Sequence, residues 1–226
     1  AGCAVSGTVD VPYTSDNTGA CLLLSVDYDS ERNCAYVRLY DPESNRLFRW
    51  YDNTGHRPYC LSNSSIEELK KNSKLMSHNG LVGFEEIEKY DPLHDRKVKM
   101  TKIIGSNPLA IGGTSSSIRE IVANTWEDKI PYHHCYTYDR RLIPGMFWRI
   151  KEGNLESVPL HFKEEKEIMS LFKDEPEEFQ EILVDFLPSF MAPVPDIKRA
   201  AIDIEVSSVV DRIPDPETAE NEVICA

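Results

Sequence analysis

The chain has 226 residues, 41% apolar and 28% charged, which excludes an extensively disordered chain and suffices for one large domain or two small ones. Its formal net charge of −13 argues at first against a nucleic-acid binder, but the acid is not evenly spread. Residues 1–150 carry 18 basic against 19 acidic side chains, residues 151–195 carry 4 against 11, and residues 196–226 carry 3 against 8.

No apolar run is long enough to cross a bilayer and no signal pattern opens the chain, so the expected location is cytoplasmic, with no membrane partner. The six cysteines (Cys3, Cys21, Cys34, Cys60, Cys135, Cys225) include no C-x-x-C pair, and buried reduced thiols account for those lying in apolar runs. Residues 1–20 are small and polar and read as a flexible leader. Cys21 to Tyr28, Cys34 to Tyr40 and Leu47 to Tyr51 are β-branched or aromatic runs broken by turn compositions, which predicts a three-stranded meander.

Arg57 to Leu61 reads as a strand. Ser65-Ile66-Glu67-Glu68 is a capping box opening a helix that carries Ile66, Leu69 and Met76 on one face. Strands follow at Leu81 to Tyr90 and Lys97 to Ile104. A second capping box, Ser117 to Glu120, starts another helix, and Ile130 to Tyr138 closes the block as a last strand. The series β-α-β-β-α-β is the split βαβ, or ferredoxin-like, pattern. Met146 to Ile150 and Glu156 to Leu160 form a predicted hairpin, and Lys163 to Phe172 and Pro176 to Phe186 two acidic helices. Pro188, Pro193 and Pro195 mark a linker, and Arg199 to Val206 and Glu222 to Cys225 are strand patterns. The fold class is α+β. The domain reading is leader 1–20, a first domain 21–150, hairpin, acidic helices and linker 151–195, and a further domain beginning at 196–226.

Several residue sets have chemical meaning. Asp203 and Glu205 share a face of a strand, where paired carboxylates hold divalent metal or are merely solvated. Arg96, Lys97, Lys99 and Lys102 form a basic stripe on or beside one strand; it suits phosphates, and equally a guarded sheet edge. Tyr28, Tyr59, Tyr90 and Tyr132 are nearby aromatics suited to stacking on bases, or to core and rim positions. Pro108 to Thr114 loosely resembles a phosphate loop but lacks the Walker lysine, so a flexible loop is the default. His133-His134-Cys135 has no matching ligand pair elsewhere and reads as structural.

Four stretches in order, Leu24 to Tyr28, Tyr51 to Tyr59, Leu142 to Met146 and Ile197 to Val206, resemble the amino-terminal part of archaeal family B DNA polymerases, proofreading replicative enzymes. The resemblance covers about residues 21–226. It implies that Asp203 and Glu205 belong to the first motif of a 3′–5′ exonuclease domain, ribonuclease H-like and truncated here, with Mg2+ or Mn2+ in the complete enzyme and no metal held tightly by the fragment. It also implies a pocket that reads single-stranded template DNA and senses uracil, at Tyr28, Pro58, Tyr59, Pro108, Ile111, Arg119, Ile130, Pro131 and Tyr132. Ile111 replaces a commonly smaller Val, and Gly112 to Ser115 look like an insertion. The later exonuclease and polymerase motifs are absent, so the fragment alone is expected to be inactive, with any sliding-clamp contact in downstream sequence. Two other readings of the residues are a stand-alone ferredoxin-like single-strand binder, and a scaffold whose acidic helices hold a basic partner.

Overall fold

The computed structural model describes residues 12–158, 165–191, 205–206 and 223–225. It is α+β, with two antiparallel sheets in the unit Ala1–Ala192 and a two-stranded sheet in the unit Pro193–Ala226. The first sheet contains the meander expected from sequence: β1 (Cys21–Asp29), β2 (Cys34–Asp41) and β3 (Arg46–Tyr51). Their turns contain Asn33 and Asn45 at φ of 52° and 53°, left-handed positions that asparagine tolerates because its short side chain bonds locally. Alternation buries Val37, Leu39, Phe48 and Trp50 on the inner face and turns Tyr36, Arg38, Arg49 and Tyr51 outward.

Of the stretch read as a leader, residues 12–20 are tied to this sheet. Arg49 N–H donates to the Pro12 carbonyl at 2.8 Å and Ile150 N–H to Thr18 Oγ1 at 2.9 Å. These bonds join the segment to strands far apart in sequence, which local composition does not encode.

The second sheet is built from β4 (Tyr59–Ser62), β5 (Leu81–Asp91), β6 (Arg96–Gly105) and the short β7 (Thr125–Trp126), in the order β5-β6-β4-β7. Between β4 and β5 lie α1 (Ile66–Lys70) and α2 (Ser73–Met76). The capping box at Ser65 forms with both of its bonds. Ser65→Ala should therefore cost about 1 kcal/mol in a urea titration; an unchanged midpoint would show that the cap contributes nothing. The predicted single helix breaks after α1, because Asn72 accepts from Leu75 N–H and starts a new turn. Leu75 rather than Met76 is buried as a result.

After β6 come α3 (Pro108–Ile111) and α4 (Ile118–Ile121). The second capping box does not form: Ser117 Oγ donates to the Thr114 carbonyl at 2.9 Å, and the Glu120 carboxylate pairs with Arg119. The predicted strand Ile130 to Tyr138 is instead the helix α5 (Tyr132–Asp139). Pro131 precedes it, and proline suits a helix start because that position needs no N–H partner. Helical spacing then buries Tyr132, Cys135 and Tyr136 together, packing the first and last into the core of the first sheet and Cys135 onto Tyr59 and Leu61 of the second. Tertiary burial overrides the β propensity of this aromatic run.

The hairpin of β8 (Phe147–Lys151) and β9 (Asn154–Ser157) completes the first sheet, in the order β3-β2-β1-β8-β9. Its turn residues Glu152 and Gly153 both have positive φ, 51° and 79°, as a two-residue hairpin turn requires, so β9 starts two residues before the expected Glu156. The acidic helices are α6 (Glu165–Leu171) and α7 (Glu177–Met191). Pro188, expected in the linker, lies inside α7. The carbonyl it leaves without a helical donor is that of Val184, a residue 58% exposed. No described helix is long and apolar enough to cross a membrane. In the second unit, β10 (Glu205–Val206) pairs with β11 (Val223–Cys225), Glu205 opposite Cys225. Asp203, most of the Arg199–Val206 strand pattern and the linker at Pro193 and Pro195 lie outside the described residues.

Candidate functional site

A cavity of about 240 Å³ opens where the start of β4, α3 with its following loop, and the start of α5 meet. Pro58, Tyr59, Pro108, Ile111, Arg119, Ile130, Pro131 and Tyr132, all candidates from sequence, line it. Tyr28, the ninth, stands behind this lining, with its ring edge-on to Tyr132 at 5.4 Å and 87°. Below the roughly 300–1,000 Å³ of drug-sized sites, the space suits one planar ring.

The walls follow from local structure. Pro58 enters β4, and Gly105 N–H donates to its carbonyl at 2.8 Å. Ladder alternation then turns the Tyr59 N–H away from β6, leaving a backbone donor for a ligand. Ile111 ends α3 and is 5% exposed; a Cβ on Gly105 would lie 2.8 Å from Ile111 Cδ1, so the missing side chain at 105 lets this wall pack closely without moving Ile111. Gly112 and Gly113 also line the cavity. A Cβ on Gly112 would lie 2.8 Å from the Arg119 guanidinium, and Gly113 has φ of +117°. Of the pair read from sequence as a flexible loop, Gly112 packs against Arg119 and Gly113 takes a backbone conformation that favours glycine. Asp128, Lys129 and Cys135 complete the lining; only adjacency to Ile130 marked the first two, and Cys135 could be placed only once α5 was a helix.

A polar network braces the site. The Tyr59 hydroxyl lies 3.1 Å from both Glu127 Oε2 and Asp139 Oδ1 and donates to this carboxylate pair. His56 Nε2 meets Asp139 Oδ2 at 2.9 Å, and the Tyr132 hydroxyl donates to the His56 carbonyl at 2.9 Å. The Lys102 ammonium sits over the Tyr59 ring at 4.1 Å. Burial, then the carboxylates of Asp139 and Glu127, push the Tyr59 hydroxyl far above its usual range. Burial also pushes the Cys135 thiol up to about 11 and Cys60 up to about 12, so neither offers a thiolate nucleophile at neutral pH.

The basic stripe is largely answered within its own hairpin. Lys97 lies 3.4 Å from Glu88, Lys99 stands opposite Glu88 in register, and Lys102 opposite Glu85. Arg96 is exposed at the start of β6. Tyr90, on β5, is exposed and bonded to Asp95. His133 and His134 lie on α5, and among the described residues no three His, Cys, Asp or Glu side chains converge on a metal position. Glu205 is described only in its strand backbone, so its pairing with Asp203 lies outside the described structure.

Apolar walls, one backbone donor that the β4–β6 ladder leaves over, a guanidinium in the lining and no activated nucleophile among the lining side chains are features that suit a small planar ring. No protein-family model matches the chain. It is similar to DNA polymerase 1 of Saccharolobus solfataricus, 40% identical over 205 residues, 89% of this chain and 23% of that protein. DNA polymerase 1 of Aeropyrum pernix is 37% identical over 208 residues, 90% of this chain and 22% of that protein. A solved structure of the family B DNA polymerase from the hyperthermophilic archaeon Pyrobaculum calidifontis is similar at a TM-score of 0.44 and 18% identity, over 57% of this chain and 17% of that one. The chain is a homologue of the archaeal DNA polymerase 1 proteins along most of its own length, and it spans less than a quarter of the length of these relatives.

Proposed function

We propose that the chain is the amino-terminal part of a DNA-directed DNA polymerase of family B, and that its cavity captures a base of the single-stranded template and distinguishes uracil from thymine. The observation that carries this reading is the gathering of eight candidates, scattered from Pro58 to Tyr132 in sequence, around one cavity. Pro58, Ile111 and Pro131 would sandwich a flipped base, and the Tyr59 N–H would meet its polar edge. A wall of proline rings and a packed isoleucine leaves the 5-methyl of thymine no space, and forcing it in costs strain. In this reading the second sheet is ferredoxin-like and residues 196–226 begin a ribonuclease H-like exonuclease domain. Asp203 and Glu205, two of its carboxylate ligands, would hold Mg2+ or Mn2+ in the complete enzyme; oxygen donors suit these hard cations.

Fluorescence anisotropy with 12-nucleotide single strands that differ in one uracil or thymine tests the sensing claim. The uracil strand should bind at least about tenfold tighter, and Ile111→Gln should abolish the difference by placing an amide in the cleft. Equal affinity of the unaltered chain for both strands would sink it.

A further inference from the structure

The outer face of the first sheet carries a second arrangement that the sequence reading did not single out. Among the described residues, four of five guanidinium or ammonium contacts with aromatic rings lie on it. Arg32 sits 4.4 Å from the Tyr51 ring centre, Arg38 lies 5.3 Å from Tyr36, and Arg49 spans both at 5.6 and 5.9 Å. Contacts of this kind occur about once per 70–80 residues, so their concentration on three short strands is unusual. The register places Tyr36 opposite Tyr51 and Arg38 opposite Arg49, and Tyr13 adds a further ring 5.4 Å from Tyr51.

Asp27 answers Arg38 at 2.7 Å, and Arg32 is 3.7 Å from Asp29; the Arg32 side chain stays 59% and that of Arg38 39% exposed. Tyr36 is only 9% exposed beneath the Arg38 and Arg49 guanidiniums, so the planes offered to a strand are those of the cations and of Tyr13 and Tyr51; they match the alternation of base and phosphate in a single strand, with bases on the planes and phosphates on the charges.

The position of this face ties it to the cavity. Asn33, next in sequence to Arg32, donates through Nδ2 to the Ser106 carbonyl at 2.8 Å, two residues before the lining Pro108. Tyr28, which backs Tyr132, donates to Asn33 Oδ1 at 2.7 Å. The arginine-tyrosine face therefore begins at the turn that abuts the cavity wall. We infer that this face is a second contact surface for single-stranded DNA, holding the segment of strand that leaves the cavity. The inference rests on the single-strand reading above.

The test uses the 226-residue chain, with 6- and 20-nucleotide single strands containing one uracil or thymine, titrated by anisotropy at several salt concentrations. The double variant Arg32→Gln/Arg49→Gln should weaken the 20-mer about tenfold and make its salt dependence shallower by about 1.4, two phosphates at about 0.7 each. It should leave the 6-mer and the uracil-to-thymine ratio unchanged, whereas Ile111→Gln should erase the ratio and leave the salt slope intact. Photo-cross-linking of the unaltered chain to a 20-mer with photoreactive bases needs no variant and should label Tyr13 or Tyr51. Unchanged affinity and slope in the double variant, or cross-links confined to other residues, would overturn the surface. A ratio of one in the unaltered chain, with the 20-mer still weakened by the double variant, would remove uracil sensing and leave the surface standing.

Discussion

Trp50→Ala lowers the unfolding free energy by about 4 kcal/mol. Trp50 is 1% exposed in β3 and packs among Val37, Leu39, Trp148 and Ile150 in the core of the first sheet. Its indole N–H also donates to the Gly153 carbonyl at 2.8 Å. That bond has a structural meaning beyond its own strength. β3 and the β8–β9 hairpin lie at opposite ends of the strand order, so a contact between them requires the sheet to curl until its edges meet, and Asn53 donates to the same carbonyl at 3.1 Å. Truncation to alanine removes the largest fully buried side chain among the described residues, leaves a cavity and takes away one of the three bonds at the closure, the third running from Asn53 to Asn154 at 3.3 Å. Trp126, 45% exposed on β7, provides the internal comparison, with an expected cost within about 0.5 kcal/mol. Urea denaturation of both variants measures the difference; a loss below about 1.5 kcal/mol at Trp50 would show that the curled sheet does not depend on it.

The second large effect belongs to Asp139, at the end of α5. Asp139→Ala should cost about 3 kcal/mol at pH 7, because it removes two hydrogen bonds to a carboxylate, from His56 and Tyr59. Burial acts against ionisation of Asp139, but the hydrogen bonds from His56 and Tyr59 and the nearby Lys102 ammonium outweigh it, and the carboxyl is held below its ordinary value. The sign of the pH dependence follows. The ionised form is favoured by folding, so its contribution is complete above the unfolded value of about 3.9 and is lost as pH falls through the lower folded value. Stability curves of the unaltered chain and Asp139→Asn should therefore differ at neutral pH and converge in acid below about pH 4. Parallel curves down to pH 2 would show that this carboxylate carries no folding-linked charge.

Much of the site was legible before the fold, and the reason lies in residue chemistry. Prolines at 58, 108 and 131, with Tyr59 and Tyr132 beside them, are rigid rings on turns and strand ends, and the four ordered stretches that resemble archaeal family B polymerases directed attention to those positions. Tyr28 was expected in the same set and instead stands behind the lining. The roles of Gly105 and Gly112 were not legible, because each is defined by a side chain that folding brings against it: Ile111 in one case and Arg119 in the other. The brace of His56, Asp139, Glu127 and Lys102 was equally hidden. Its members come from four separate parts of the chain, and no spacing rule links them.

The sequence by itself determined those features whose partners are near neighbours. The meander around Asn33 and Asn45, the capping box at Ser65, the β5–β6 hairpin and the concentration of acid after Ile150 all rest on alternation, turn chemistry or bonds spanning three or four residues. The tertiary structure alone decided that residues 132–139 form a helix, that the Ser117 box stays open and that the segment from Pro12 joins the first sheet. Each of these depends on burial or hydrogen bonding across 30 or more residues, or on a local donor taking a different acceptor once the chain is packed. Helix α5 shows the physical reason most directly. Its aromatic run favours a strand in isolation, and it becomes a helix because only that period turns Tyr132, Cys135 and Tyr136 together into the cores of two sheets.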